Sequence, residues 1–192
     1  MPRHHVPARS ALLQSFLGLT LCAAAALVLA QTSPPTPAVV NPQPAPASTA
    51  PNGVTQAAVQ QGALSCAARI NQVSSFVTGS NPSNGQLLTG PQDRVNKDIV
   101  ATAIEVEGSG ITSLVTSSYA PGAGASECSA TYDAITYWNA SCAMVATSNY
   151  GAYKLTPPLM RSVYVLDGGP TVKVFLMPAG SGCVSVKKEM VY

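Results

Sequence analysis

Seven prolines between Gln31 and Ala57 limit where this chain can build a folded core. The segment carries no charged residue and consists largely of small and polar residues. Such a composition favours extended polyproline-type conformations and cannot supply a core. We therefore predict a disordered linker over 31–57 and one folded domain over 58–192, which is long enough for a core of its own. A ligand for a proline-recognising module is the alternative, but the flanking basic residue typical of such ligands is missing.

The residues before the linker have the pattern of a secretory signal peptide. A basic start is followed by an almost unbroken apolar run from Phe16 to Leu29, and small residues at the end of the run suit cleavage after Ala30. We predict a cleaved signal over 1–30. The alternatives are an uncleaved anchor, which the run is too short to form because a spanning helix needs about 20 residues, and lipidation at Cys22, which the apolar residues after it disfavour.

Loss of the signal would remove both histidines of the chain, His4 and His5. A mature protein without histidine excludes Ser-His-Asp and Cys-His nucleophiles, His-ligated zinc and imidazole pH switches. Eight basic and eight acidic residues then balance, which argues against electrostatic binding of nucleic acid or anionic lipid. We expect no cofactor, no metal and no membrane span after cleavage.

The folded domain is predicted to be α+β, with two helices on one face of an antiparallel sheet of about six strands. Apolar residues at helical spacing predict a helix over 63–78, and Asn139 or Ser141 can cap a second helix that runs to about Asn149. Alternating or β-branched runs predict strands over 98–107, 111–120, 127–138, 162–167, 171–177 and 183–192. A helix followed by three strands occurs twice, so we keep internal duplication as a hypothesis.

Four cysteines remain after the signal, and two disulfides are the expectation for an exported chain. Their spacings of 62, 14 and 41 residues lack the paired ligands of a four-thiolate zinc site. Three pairings are open, and the sequence does not choose among them. We favour Cys66 with Cys183, joining the first helix to the last strand, and Cys128 with Cys142, joining the third strand to the following helix.

Aromatic residues concentrate at the end of the third predicted strand. Tyr137 and Trp138 are candidate binding residues, because aromatic side chains with a polar atom are favoured at recognition surfaces. Strand alternation places Tyr132 and Trp138 on one face of the strand and Tyr137 on the opposite face. We therefore expect Trp138 in the core and Tyr137 at the surface.

Carboxylates offer an alternative chemistry, because glycoside hydrolysis needs only two of them. Asp133 and Glu105 are the pair we consider as alternative catalytic residues, and Glu107 lies on the same side of its strand as Glu105. A solvated strand face explains the glutamates equally well, and a hydrogen-bonded aspartate explains Asp133.

Charges near the C-terminus form a further cluster. Lys187 and Lys188 can make a basic patch with Lys173 on a neighbouring strand, or they can simply protect a sheet edge from aggregation. In the same strand Val184, Val186 and Met190 alternate with polar residues. Residues 167–170, Asp-Gly-Gly-Pro, are predicted to form a hairpin turn rather than an anion-binding nest.

These observations favour an exported, non-catalytic binding, accessory or inhibitor protein of the cell envelope, located in the periplasm, at the cell surface or outside the cell. Its partner would be another envelope or secreted protein that contacts its sheet or loops. The alternatives are a small carboxylate-dependent hydrolase acting on cell-wall or glycan material, and a passive structural component of the envelope.

Overall fold

The computed structural model describes residues 50–124 and 127–192. The predicted signal peptide over 1–30 and the predicted linker up to residue 49 lie outside the described residues. The described part contains three helices and one antiparallel sheet of eight strands, which confirms the α+β class but exceeds the six strands predicted. None of the described helices has the length and apolarity needed to cross a membrane.

Along the chain, a helix followed by four strands occurs twice. The helices are α1 (Gly53–Gln60), α2 (Ala67–Thr78) and α3 (Cys142–Asn149). The strands are β1 (Ser83–Leu88), β2 (Val100–Glu107), β3 (Thr112–Pro121), β4 (Cys128–Trp138), β5 (Lys154–Thr156), β6 (Tyr164–Asp167), β7 (Val172–Ala179) and β8 (Gly182–Val191). All six predicted strands are present, and α1, β1 and β5 are additional.

Helix α1 crosses the boundary that the sequence placed between residues 57 and 58. Its first turn is stabilised by Asn52, whose side chain accepts a hydrogen bond from the backbone N–H of Thr55 at 3.0 Å. The same asparagine binds α2, since its backbone N–H donates to Asn71 Oδ1 and its amide donates to Ser74 Oγ at 2.7 Å. These contacts between polar residues make the end of the predicted linker part of the fold.

Helix α2 begins at Ala67, four residues later than predicted. Residues 61–66 form the turn between α1 and α2, in which Gly62 adopts a positive φ of 79° and Cys66 occupies the N-cap position. Helix α3 is capped by Ser141, one of the two predicted caps, whose side chain accepts from the backbone N–H of Met144.

Strand β1 lies in a segment for which the sequence predicted no strand. It has no alternation of apolar residues, and it is held as an edge strand by pairing with β2 along its whole length. Gly85 allows close packing at this edge, because a Cβ there would lie 3.1 Å from the Ile104 side chain and 3.3 Å from that of Val54 in α1.

The strand order β1-β2-β3-β4-β8-β7-β6-β5 divides the sheet into two halves that join at β4 and β8. The first half consists of α2 followed by β1–β4, and the second of α3 followed by β5–β8. In each half the four strands form a meander whose last strand lies at the centre of the sheet. The repeated order of elements noted in the sequence is therefore present, with four strands in each half instead of three.

Each half also contains one disulfide, and the pairing favoured from the sequence is wrong. The bridges are Cys66–Cys128 and Cys142–Cys183. Each connects the N-terminal end of a helix to the central strand of the same half: α2 to β4, and α3 to β8. The favoured pairing assumed that a bridge would close nearly the whole domain, whereas the strand order brings each helix into contact with the last strand of its own half.

All three helices pack on one face of the sheet, which we call the inner face. Ile70 and Val73 of α2 pack with buried residues of β2–β4 such as Ile104 and Tyr119, and Val145 of α3 packs with a second cluster on β6–β8. No described helix covers the other face, which we call the open face. The sheet is therefore covered by helices on one face only, and both cores of the described residues lie on that inner face.

Removal of either disulfide is expected to reduce the free energy of unfolding by about 4 kcal/mol, since each closes a loop of several tens of residues in the unfolded chain. The variants are Cys66→Ala/Cys128→Ala and Cys142→Ala/Cys183→Ala, compared with the oxidised parent by urea unfolding. The loops differ only modestly in length, 62 against 41 residues, so the two losses should be similar. A loss below about 1 kcal/mol for either variant would contradict the role assigned to that bridge.

Candidate functional site

The central strand β8 faces the helices with its polar residues. Ser185, Lys187 and Glu189 lie on the inner face, where the first and last are fully buried, while Val184 and Val186 lie on the open face. An alternating strand on a one-sided sheet ordinarily turns its apolar residues toward the core. The reversed orientation of β8 leaves apolar side chains on the open face and polar groups under the helices.

Apolar side chains form a continuous row across five strands of the open face. The register aligns neighbouring residues directly opposite one another from β3 to β6. The row consists of Leu114, Ile135, Val186, Phe175 and Val165. At about 4.8 Å between strands, it is about 19 Å wide.

A second row of apolar residues lies beside the first. Tyr137, Val184 and Met177 are aligned across β4, β8 and β7. The phenol end of Tyr137 lies against Gly182, where an added Cβ would come within 2.7 Å of its ring, so the glycine makes room for the aromatic side chain. We call the two rows together the apolar band. Its side chains are well exposed at Leu114 (46%), Tyr137 (50%) and Met177 (45%).

A row of paired charges borders the apolar band on the same face. Lys188 donates to Asp133 at 2.8 Å and Lys173 to Asp167 at 2.5 Å, and the two lysines are neighbours across β8 and β7. The predicted basic patch is thus split: Lys187 faces inward, and the other two lysines are paired with carboxylates. The interpretation of these lysines as edge protection does not apply, because β8 lies at the centre of the sheet.

The segment 167–170 forms the predicted hairpin turn between β6 and β7. Asp167 Oδ1 accepts from the backbone N–H of Gly169 at 2.8 Å, and Gly169 adopts a φ of 108° that favours glycine. The hydrogen bond from Lys173, followed by that from Gly169, lowers the pKa of the Asp167 carboxyl below its usual value. The aspartate therefore closes the turn as an ionised acceptor.

The two predicted catalytic carboxylates both lie on the open face, and the sheet keeps them apart. Glu105 is on β2 and Asp133 on β4, with β3 between them and a two-residue offset along the strands. Two strand spacings and that offset give a Cα separation of about 12 Å. Asp133 is paired with Lys188, whereas Glu105 borders a small depression with Glu107. The depression that contains Glu105 does not include Asp133.

The inner face holds a cleft of about 410 Å³ where the sheet extends beyond the C-terminal end of α2. Phe76 and Asn81 border it from the helix side, and Lys187 and Trp138 from the sheet side. We call it the inner cleft. The two predicted binding residues, Tyr137 and Trp138, thus lie on opposite faces, as strand alternation predicted. Trp138 is half-buried, and its Nε1 donates to Ser185 Oγ at 2.8 Å.

A buried ionic cluster lies beside the inner cleft. Glu189 is 0% exposed, and its Oε2 accepts a hydrogen bond from Tyr132 at 2.6 Å and an ion pair from Lys187 at 3.0 Å. The Lys187 ammonium also lies 5.8 Å from the ring centroids of Phe76 and Tyr132, within the range of cation–π attraction. Glu189 Oε1 is buried without a hydrogen-bond partner in the described part of the structure.

Burial raises the pKa of the Tyr132 phenol far above its ordinary value, and the hydrogen bond to the Glu189 carboxylate raises it further. An ionised phenolate next to that carboxylate would place two negative charges together in a buried site. Tyr132 therefore acts as a permanent hydrogen-bond donor, and the cluster carries one negative and one positive charge.

No functional role was predicted for Glu189 from the sequence. The signal was nevertheless present: Lys187, Glu189 and Val191 share one strand face with Cys183. A half-cystine is among the most buried residues, so its face of the strand is the inner one. No group of three or more potential metal ligands occurs among the described residues.

Comparisons with family models, with curated proteins and with solved structures found no match to this chain.

Replacement of Glu189 by leucine is expected to lower the free energy of unfolding by about 3 kcal/mol, because it leaves the largely buried Lys187 ammonium without its counter-ion. The double variant Lys187→Met/Glu189→Leu removes both charges and should recover most of this loss. Urea unfolding at pH 7 measures both. A double variant as unstable as the single one would show that the pair is not the cause.

Tyr132 should also make the protein sensitive to alkali. A phenol whose pKa is raised in the folded state contributes its full stability below the unfolded pKa of about 10 and loses it as the pH rises above that value. Between about pH 9 and pH 11, the free energy of unfolding of Tyr132→Phe should therefore fall less steeply than that of the parent, by up to about 1.4 kcal/mol per pH unit. Equal slopes in urea unfolding would contradict the assignment.

Proposed function

We propose that this chain is an exported binding protein that uses the open face of its sheet to dock another protein. The observation that supports the proposal is the apolar band, whose two rows of side chains lie in cross-strand register and are not covered by any described element. Exposed apolar patches of this kind are the ordinary mark of a protein–protein contact.

The shape of the open face favours a protein over a small molecule. The band spans five strands of a continuous sheet and has no walls, whereas small-molecule sites are concave. Tyr137 and Phe175 supply the aromatic surface that dominates binding at the centre of many interfaces, and the charged row supplies a polar margin. This arrangement matches an apolar centre with a polar rim.

The charges specify the chemistry of the partner. Asp133–Lys188 and Lys173–Asp167 satisfy one another, so the margin presents paired charges of both signs. A strongly acidic or basic partner would gain little from such a margin. The partner proposed is therefore a folded protein with a flat apolar strip and few charges at its centre.

The disulfides support the cellular location. Two bridges fit an exported or non-cytoplasmic protein, because such bonds persist in oxidising compartments. The signal peptide and the linker before residue 50 remain predictions, which would place the domain in the periplasm, at the cell surface or outside the cell, at some distance from the point of attachment or export.

Photocrosslinking in the organism of origin tests the docking face. The full chain is produced with a benzophenone amino acid at Tyr137 or Met177, within the apolar band. Matched controls carry it at Leu155, which is on the inner side of an edge strand, or at Met160 in a loop; both are more exposed than the band residues. We expect one adduct of a defined protein from the two band positions and none from the controls.

The identified partner then allows a quantitative test. Tyr137→Ala should weaken its affinity by about 30-fold, the effect of losing an aromatic residue at the centre of an interface, whereas Met160→Ala should leave it unchanged. Adducts from all four positions, or no adduct at all, would overturn the proposal. An adduct of twice the chain's own mass would identify a second copy as the occupant and overturn the assignment of a different protein.

A further inference from the structure

We propose that the inner cleft is a second binding site, and that it takes a neutral saccharide unit. The cleft lies on the face opposite to the apolar band, so this site is independent of the protein-docking face. Its volume of about 410 Å³ lies within the range of small-molecule sites, about 300–1,000 Å³.

The floor of the inner cleft carries two hydroxyl groups beside apolar residues such as Val106 and Val115. Ser113 and Thr136 are opposite one another on β3 and β4, and their hydroxyl groups lie 2.7 Å apart. Ser185 continues the same row on β8 and accepts hydrogen bonds from Trp138 and Tyr150. A pair of hydroxyl groups can each donate and accept, which suits a ligand that carries hydroxyl groups of its own.

The space above this floor is left open by small side chains. Ala134 and Ser113 line the cleft at positions where strands β3 and β4 elsewhere place buried valine and tyrosine residues. Gly108 and Ser109 border it at the turn between β2 and β3. The last turn of α2 borders the cleft at Phe76 and Val77, and the helix ends at Thr78 without filling it. Val106, Val115 and Tyr132 of the first core border the cleft, and the described side chains leave its volume unfilled.

The charges around the inner cleft favour a neutral ligand. Lys187 is the charged residue among those that line it, and its side chain is only 17% exposed. Its ammonium is already paired with Glu189 at 3.0 Å, so the lysine can donate a hydrogen bond to a ligand without requiring a negative charge there. Because the Glu189 carboxylate already neutralises this ammonium, an anionic ligand would find no unpaired positive charge to offset the cost of its burial.

Aromatic side chains complete the match to a sugar ring. Phe76, Tyr132 and Trp138 line the inner cleft, and a pyranose presents C–H groups on its faces and hydroxyl groups at its rim. The C–H groups pack against the aromatic rings, and the hydroxyl groups form hydrogen bonds with the Ser113–Thr136 pair and with the Asn81 amide. The two hydroxyl groups are bonded to each other and the Asn81 amide donates to Thr78 O, and each group has further hydrogen-bonding capacity that a purely apolar ligand would not use.

The site is suited to binding rather than hydrolysis. None of the described residues that line the inner cleft is acidic, and the nearest carboxylate, Glu189, is fully buried and held by Tyr132 and Lys187. Hydrolysis of a glycosidic bond ordinarily needs two carboxyl groups on either side of it. The cleft therefore recognises a saccharide without cleaving it.

Trp138 is the single tryptophan of the chain, so its fluorescence reports directly on the inner cleft. The oxidised full chain is titrated with cellobiose, maltose and diacetylchitobiose as neutral probes and with digalacturonic acid as an acidic probe. The apolar probe is an indole analogue that does not fluoresce at the wavelength of Trp138 emission. We expect a saturable change in Trp138 emission with at least one neutral disaccharide at concentrations up to about 10 mM.

Variants connect the signal to the hydroxyl pair. Thr136→Val keeps the shape of the side chain and should weaken binding by about two- to ten-fold, the effect of one neutral hydrogen bond. Ser113→Ala should do the same, and Ser118→Ala, on the open face of the same strand, is the matched control and should bind like the parent. Urea unfolding confirms that each variant is folded.

Three results would overturn the proposal: no response to any neutral disaccharide, tighter binding of the acidic probe, or binding of the apolar probe that Thr136→Val leaves unchanged. Any of these would leave the crosslinking result at the open face unaffected, because the two sites lie on opposite sides of the sheet.

Discussion

The pairing of β4 with β8 is the interaction on which the rest of the structure depends. Nine register pairs, from Ala130 opposite Val191 to Trp138 opposite Cys183, join the two halves of the sheet. Each of these strands also carries a half-cystine bonded to the start of a helix. The helices are therefore positioned relative to the same two strands, and both proposed binding surfaces are formed largely from their opposite faces.

The orientation of β8 within that pairing decides what each face can do. With Ser185 and Glu189 toward the helices, the centre of the inner face is too polar to be filled by a continuous apolar core. The two cores are accordingly separate, one under α1 and α2 and one under α3, and the inner cleft lies beside the polar groups of β8. The same orientation places Val184 and Val186 on the open face. The buried ion pair and the β8 part of the apolar band therefore both follow from the orientation of this one strand.

Sequence alone predicted those elements whose pattern is local. The six strands with β-branched or alternating residues, the Ser141 cap and the turn at Asp167 depend on neighbours along the chain, and each is present. The faces of Tyr137 and Trp138 followed from alternation within β4 in the same way. Strand β1 and helix α1 could not be predicted so easily, because β1 is held by pairing with β2 and α1 by the contacts of Asn52 with α2.

The candidate sites depended more on long-range order. Cys66 pairs with Cys128 because the strand order brings α2 over β4, and the spacing of the cysteines in the sequence does not predict that strand order. The carboxylates Asp133 and Glu105 were correctly placed on strands, but which strands lie between them was decided by the meander. The role of Glu189 required knowing which face of β8 is covered, and Cys183 was the local residue that indicated it.

The confinement of each disulfide to one half has a mechanical consequence. The closed loops 66–128 and 142–183 do not overlap in sequence, so no covalent bridge crosses the seam between β4 and β8. The halves are held together there by backbone hydrogen bonds and side-chain contacts, with the connection after Trp138 as the only continuous chain between them. Opening of this seam would leave both disulfides intact, so the bridges stabilise each half but not the contact between the halves.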